Sequence, residues 1–144
     1  MSQPVSRTAT VDASPSAILK VLTDVKAYPQ WQKEVDEVEL LATDEQGRPQ
    51  TVRVNVTAMG MKANYTLDYR YPAENVFEWK LVDGDMITAN DATYTLTDNG
   101  DGSTNLNVEM LLGVKWKLPE FMIDQMIQKA VNDYIKGIKS QAEV

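Results

Sequence analysis

The sequence contains no histidine and no cysteine among its 144 residues. Their absence removes the usual zinc clusters, the Ser-His-Asp triad and the Cys-His dyad together, and it removes any disulfide framework. Acid–base chemistry would therefore depend on Asp, Glu, Lys or Tyr. No GxGxxG or GxxxxGK[ST] loop that could cradle a phosphate occurs either, so we expect neither a metal nor a cofactor.

Positive charge and long apolar runs are also scarce. Lys and Arg total 14 against 21 Asp and Glu, and the formal net charge of −7 has the wrong sign for a surface that collects phosphates. No apolar run approaches the roughly 20 residues of a membrane span, and the N-terminus does not look like a secretory signal. We therefore expect one cytoplasmic domain over residues 1–144, with no nucleic-acid partner and no integral membrane span. The oligomeric state stays open.

What the chain does contain is a long series of alternating segments. A first segment, VSRTATVDA, alternates polar and apolar residues, and six more follow between residues 34 and 112. The clearest hairpin signal between two of them is DNGDGS at residues 98–103. One face of these segments is apolar and the other is polar, which is typical of an antiparallel sheet with one face exposed to water. The sequence therefore predicts about seven antiparallel strands.

Helical signals lie on both sides of this series. Ser14 and Pro15 form an N-cap and first-turn pair, and apolar residues then recur at helical spacing. Because Pro29 disfavours the α conformation at Tyr28, a second helical turn through VKAYPQW should be short or should begin at Pro29. A long helix is predicted from Leu118 to about Lys139. Its apolar stripe consists of Ile123, Ile127, Val131, Tyr134 and Ile138, widened by Met122, Met126 and Ala130.

This order of elements predicts an α+β fold in which a curved antiparallel sheet wraps around the C-terminal helix. A sheet of this shape rarely closes its core completely. The space that is left between sheet and helix is where a small apolar ligand would bind.

Three stretches resemble the helix-grip fold of the START-like (SRPBCC) superfamily, in its polyketide cyclase/dehydrase and lipid-transport branch. They are SPSAILKVLTDVKAYPQW, FEWKLVDGDMITANDATYTLTDNGDGST and LLGVKWKLPEFMIDQMIQKAVNDYIKGIK. The likeness covers essentially the whole chain, and it implies two short helices after the first strand. In such proteins the segment matching VKAYPQW forms the second short helix and the turn into the next strand. Tyr28 and Trp31 would then be structural, although Trp31 could instead form a wall at one end of the cavity.

The candidate ligand-binding residues lie on the apolar face of the strands and on the C-terminal helix. A buried tyrosine hydroxyl needs a partner, which a ligand carbonyl could supply, and flexible methionines suit varied apolar shapes. Asn90 is predicted to share the inward face with Thr88, Ala92 and Tyr94, unless a bulge near Ala89 turns it outward. Ordinary core packing is the competing interpretation for each candidate. The predicted set is Tyr65, Tyr69, Trp79, Asn90, Tyr94, Met110, Trp116, Met122 and Met126.

No strand offers an inward carboxylate, so no catalytic residue is assigned. Asp68, Asp91 and Glu109 fall on the outward face, as does Arg70, whereas a catalytic carboxylate needs burial and a neighbour.

We therefore predict that the chain binds a hydrophobic or aromatic small molecule, lipid or polyketide-like, between the sheet and the C-terminal helix. The resemblance leaves open a polyketide aromatase/cyclase or dehydratase that shapes its substrate and polarises carbonyls through Tyr or Asn. A third alternative is an accessory module that binds a protein partner.

Overall fold

Seven antiparallel strands form a single sheet in the order β1-β7-β6-β5-β4-β3-β2. The computed structural model describes residues 4–58, 60–115 and 117–143. The elements along the chain are β1 (Val5–Val11), α1 (Pro15–Thr23), a 3-10 turn (Val25–Ala27), α2 (Tyr28–Trp31), β2 (Val35–Thr43), β3 (Pro49–Ala58), β4 (Met61–Ala73), β5 (Val76–Gly84), β6 (Ile87–Asp98), β7 (Thr104–Val114) and α3 (Glu120–Ala142). The predicted α+β helix-grip fold is confirmed, including the two short helices after β1.

The connection between β1 and β2 confirms the predicted cap of α1 and the short second helix, whereas the conformation expected at Tyr28 is wrong. The Ser14 side chain accepts a hydrogen bond from the Ala17 amide at 3.2 Å and caps α1, as expected. Tyr28, however, is helical (φ −52°, ψ −44°) although it precedes Pro29. The Tyr28 hydroxyl donates to the Leu22 carbonyl and lies 2.8 Å from the Tyr69 hydroxyl, and the whole residue is buried. These tertiary contacts outweigh the local preference of a residue that precedes proline.

The long helix packs asymmetrically on the sheet. α3 starts at Glu120 rather than Leu118 and continues to Ala142 rather than about Lys139. Its main contacts outside itself are with β1, β7 and α1. Three fully buried residues form what we call the packed stripe of α3: Ile127, Val131 and Ile138. Because α3 lies against one side of the sheet, space is left between the helix and the strands on the other side.

Aromatic rings fill the interior beside this space. Tyr69 on β4 pairs with Trp79 on β5, and Phe77 on β5 pairs with Tyr94 on β6, which brings the four side chains together. Ring centroids of contacting pairs among them are 5.0–6.0 Å apart, in stacked, tilted and edge-on arrangements. All four residues are buried. We call this group the aromatic cluster.

Candidate ligand-binding cavity

A cavity of about 750 Å³ lies between α3 and the end of the sheet that carries the β3–β4 and β5–β6 turns. Residues of β3, β4, β6 and β7 form its sheet side, the segment from Trp31 to Val35 forms one edge, and α3 forms the opposite wall. Most of the wall is apolar. Its aliphatic members are Val35, Val56, Ala58, Ile87, Leu112, Val114 and Ala130.

On α3, three residues that line the cavity are each offset by one sequence position from a buried residue. Met126, Ala130 and Gly137 line the cavity, and each immediately precedes a residue of the packed stripe. We call these three the cavity stripe. Two of them are small, and successive positions of an α-helix point in directions about 100° apart. The helix can therefore be anchored on one side while leaving room on the next.

Four of the nine residues predicted for the site line the cavity: Tyr65, Asn90, Met110 and Met126. Tyr69, Trp79 and Tyr94 lie deeper, in the aromatic cluster, and the Tyr69 hydroxyl is already paired with that of Tyr28. Met122 is half-buried in the first turn of α3, before the part of the helix that lines the cavity. Trp116 lies outside the described residues.

Asn90 is held at the inner surface of the cavity by a specific hydrogen bond. Its Oδ1 accepts from the Trp79 indole N–H at 3.0 Å, and the residue is only 3% exposed. The anticipated bulge is present, as a register shift between Ile87 and Ala89 opposite β7. It places Ile87 inside and Thr88 outside while Asn90 stays inside. The prediction that Thr88 shares the inward face is therefore wrong, because the bulge breaks the alternation before Asn90.

Two tyrosine hydroxyls join Asn90 to form what we call the polar floor, made of Tyr65, Asn90 and Tyr134. Burial raises the pKa of Tyr65 well above its usual value, and nearby Tyr134 adds to this. A hydrogen bond from the Asn90 side chain acts in the opposite direction on the pKa of Tyr65, the sign expected for an amide that donates to a phenol oxygen. Desolvation, followed by Glu34 and Asp133, raises the pKa of Tyr134 to about 12. Both hydroxyls are therefore protonated at neutral pH and can donate to a ligand.

Charged side chains surround the mouth of the cavity. Lys129 Nζ on α3 lies 2.6 Å from Asp133 Oδ2 and 3.5 Å from Glu34 Oε1, so it links the helix to the turn before β2. These contacts raise the pKa of Lys129, with the Asp133 hydrogen bond as the largest cause. Lys33 and Lys136 also line the mouth, and neither forms an ion pair within the described part of the chain.

Carboxylates are few along the described lining of the cavity, and none belongs to the polar floor. Among the described residues, those that line the cavity are Glu34 and Asp133. The three strand carboxylates that were predicted to face outward do so: Asp68 pairs with Arg70 at 2.9 Å, Asp91 accepts from the Leu81 amide at 3.1 Å, and Glu109 is exposed.

Trp31 packs closely against Gly137 of α3, a contact of which the sequence predicts only the Trp31 side. The Trp31 ring lines the cavity and meets the Tyr28 ring edge-on, with centroids 5.7 Å apart. A Cβ added to Gly137 would lie 2.2 Å from Trp31 Cε3, so a side chain at this position would collide with the indole. Trp31 therefore packs a joint and forms a cavity wall at once. A glycine inside a strongly helical segment, where it costs about 1 kcal/mol relative to alanine, was the available signal.

The match to a known family agrees with this architecture. A family model described as polyketide cyclase / dehydrase and lipid transport matches residues 2–140. The chain belongs to this family. The resemblance recognised from its three sequence stretches is therefore confirmed. No curated protein matches the chain.

Solved structures place this family member within the START-like superfamily. A START superfamily protein from Mycobacterium smegmatis is 30% identical over 97% of each chain, with a TM-score of 0.89. The ZhuI aromatase/cyclase from Streptomyces sp. R1128 shares 18% identity over 98% of this chain and 93% of its own, with a TM-score of 0.80. A STAR-related lipid transfer protein from Xanthomonas axonopodis shares 14% identity over 99% of this chain and 87% of its own, with a TM-score of 0.75. The latter two show the fold alone. Within the described residues, no helix is both long and apolar enough to cross a membrane.

Proposed function

We propose that this family member binds a hydrophobic or aromatic small molecule, of lipid or polyketide type, in the cavity between the sheet and α3. The observation that carries the proposal is the combination of apolar walls with the polar floor of Tyr65, Asn90 and Tyr134. The cavity volume of about 750 Å³ is within the usual range for small-molecule sites, roughly 300–1,000 Å³.

The polar floor suits a ligand that carries a carbonyl or hydroxyl group on an otherwise apolar skeleton. Trp79 occupies the Asn90 oxygen, and one amide N–H bonds the Tyr65 oxygen, so the second amide N–H is the part of that side chain left to donate. Neutral Tyr65 and Tyr134 can also donate, because their raised pKa values keep them protonated. An apolar ligand without an oxygen would leave these donors unpaired, at a cost of about 1–3 kcal/mol each if no water replaced it.

A second candidate is an aromatase/cyclase or dehydratase that acts by shaping a poly-carbonyl chain. The same floor favours it, since donors aimed at a carbonyl would also stabilise an enolate formed from it. ZhuI, a fold neighbour, is described as an aromatase/cyclase. We rank this candidate second because Glu34 and Asp133, the carboxylates of the described cavity lining, have side chains that are 45% and 46% exposed and that pair with Lys129. A catalytic base needs burial beside the reacting group.

Native mass spectrometry of freshly purified protein, followed by solvent extraction and accurate mass of any released compound, tests the proposal directly. We expect a reproducible additional mass, stoichiometric with the chain. Ala130→Phe should abolish this mass, because the added ring would project into the cavity from α3. Asn132→Phe is the matched control, since it adds the same ring at an exposed position of the same helix. Equal ligand occupancy in both variants would contradict the cavity as the site.

The polar floor has its own test. Tyr65→Phe should weaken binding of a carbonyl-bearing ligand by about 3- to 10-fold, the usual value of one neutral hydrogen bond, and leave its hydrocarbon analogue unaffected. Tyr71→Phe is the control, because the Tyr71 hydroxyl donates to the Pro49 carbonyl and lies outside the cavity wall. The same loss for both ligands would mean that Tyr65 acts only by packing.

A further inference from the structure

We propose that Trp31 sets the maximum length of the ligand, because its indole separates the cavity from a second, smaller pocket. This inference rests on the proposed function and assigns it a residue that determines specificity.

The second pocket has a volume of about 270 Å³ and lies between α1, the 3-10 turn and the last turn of α3. Trp31 is the only described residue that lines both spaces. On α3 the cavity lining ends at Ser140, and the lining of the second pocket begins at Gln141. The two spaces are therefore consecutive along the same helix, and the indole stands between them.

Contacts on two sides hold the Trp31 indole in place. The Tyr28 ring meets the indole edge-on, and Tyr28 itself is fixed by its hydroxyl contacts with Leu22 and Tyr69. On the other side the indole occupies the notch made by Gly137, where no side chain fits. A ligand tail therefore meets a rigid ring rather than a flexible chain at this end of the cavity.

The second pocket, on the far side of the indole, has an apolar wall against which an alkyl chain can pack. Ala17, Val21 and Ala27 provide its apolar surface, and Lys20, Asp24 and Gln141 provide its polar part. Shortening residue 31 would join the two spaces into one longer channel. Each further methylene buried there would strengthen binding about fourfold.

The experiment measures binding of linear carboxylates, from octanoate to stearate, by displacement of anilinonaphthalene sulfonate. In the unaltered protein, affinity should rise with chain length and then stop rising once the cavity is filled. In Trp31→Leu the rise should continue for at least two further methylenes, a gain of about tenfold or more for the longest chains. Trp31→Phe, which keeps an aromatic wall, should retain the original limit. An unchanged limit in Trp31→Leu would overturn the proposal.

Two further variants extend the test, and the first of them does not depend on whether Trp31→Leu folds. Gly137→Ala should displace the indole from its notch and so shift the length limit without removing the ring. An unchanged limit would mean that the position of the indole does not set it. Val21→Phe, which refills the second pocket, should restore the original limit in the Trp31→Leu background and have no effect alone. A lengthened limit that persists in the double variant would show that the chain leaves by another route and would overturn the proposal.

The outcomes also separate this inference from the function on which it rests. If the unaltered protein binds none of the carboxylates or the probe, the proposed cavity function for acyl chains fails and the length limit fails with it. If the unaltered protein binds them but every variant shows the same limit, the cavity function stands and the role of Trp31 is wrong.

Discussion

The packed stripe and the cavity stripe of α3 differ by a single residue step and yet serve opposite purposes. Ile127, Val131 and Ile138 are completely buried, whereas the residues just before them border open space. The packed stripe fills the interior and stabilises the fold. The cavity stripe has to leave the cavity open for a ligand. The difference shows that on this helix stability and ligand binding are assigned to separate faces, so neighbouring substitutions should have unlike effects.

The largest contrast is expected between Ile127→Asp and Met126→Asp. An aspartate at Ile127 would remove a fully buried side chain and place an unpaired charge in the core, at a cost of at least about 4 kcal/mol, a large part of the stability of a typical domain. Met126→Asp places the same charge beside the solvent-connected cavity and should leave the domain folded. Urea unfolding followed by circular dichroism measures both. Similar unfolding midpoints in the two variants would contradict the assignment of the stripes.

Alkaline pH should destabilise the fold through buried tyrosines of both the aromatic cluster and the polar floor. Burial raises the pKa values of Tyr65, Tyr69 and Tyr94 well above their usual value and that of Tyr134 to about 12. The folded state thus holds these protons more tightly than the unfolded state. The stabilisation is fully present below about pH 10 and is lost as the pH rises toward 12 and beyond, by up to about 1.4 kcal/mol per pH unit for each tyrosine.

A pH titration followed by tyrosinate absorbance and by far-ultraviolet circular dichroism measures this loss. The two signals should change over the same pH range. Tyr94→Phe removes one of the buried hydroxyls and should reduce the steepness of the pH dependence. Tyrosinate absorbance that rises fully near pH 10, while the circular dichroism stays native, would mean that the aromatic cluster is open to water.

The smallest effect on stability is expected from the charged residues at the mouth of the cavity. Lys129→Gln removes exposed ion pairs with Glu34 and Asp133, so the free energy of unfolding should change by less than about 1 kcal/mol. Ligand association and dissociation rates should change more than stability does, with a dependence on ionic strength that the variant loses. Lys80→Gln, on the outer face of β5, is the control, and stopped-flow fluorescence is the measurement. Identical salt dependence of the rates in both variants would exclude a role for the Lys129 ion pairs in ligand access.

Alternation along the strands predicted the fold well because one face of the sheet is covered and the other is wet. On β7, for example, Leu106, Val108 and Met110 all face inward as expected. The same periodicity cannot distinguish a residue packed in the core from a residue that lines the cavity. Leu106 and Val108 lie in the solid core while Met110 borders the cavity, although their sequence pattern is identical. That distinction depends on where α3 sits above the strand.

The candidate site was predictable only where one element sufficed to define it. Tyr65 and Asn90 follow from the parity of β4 and β6, and both line the cavity. Helical spacing predicts Tyr134 in the buried stripe and assigns no role to Gly137, because the surroundings of both residues depend on how far α3 is rotated. Trp31 contacts Gly137 across more than a hundred residues of sequence, and no local pattern encodes such a pairing.

The arrangement of the strands has a consequence for how such a protein can diverge. β3, β4, β6 and β7 each carry core residues in one part and cavity-lining residues toward the end near the β3–β4 and β5–β6 turns. Point substitutions at those ends can reshape the cavity without an insertion, a change of strand register or a loss from the aromatic cluster. New ligand preferences are therefore accessible through single mutational steps that keep the protein folded throughout.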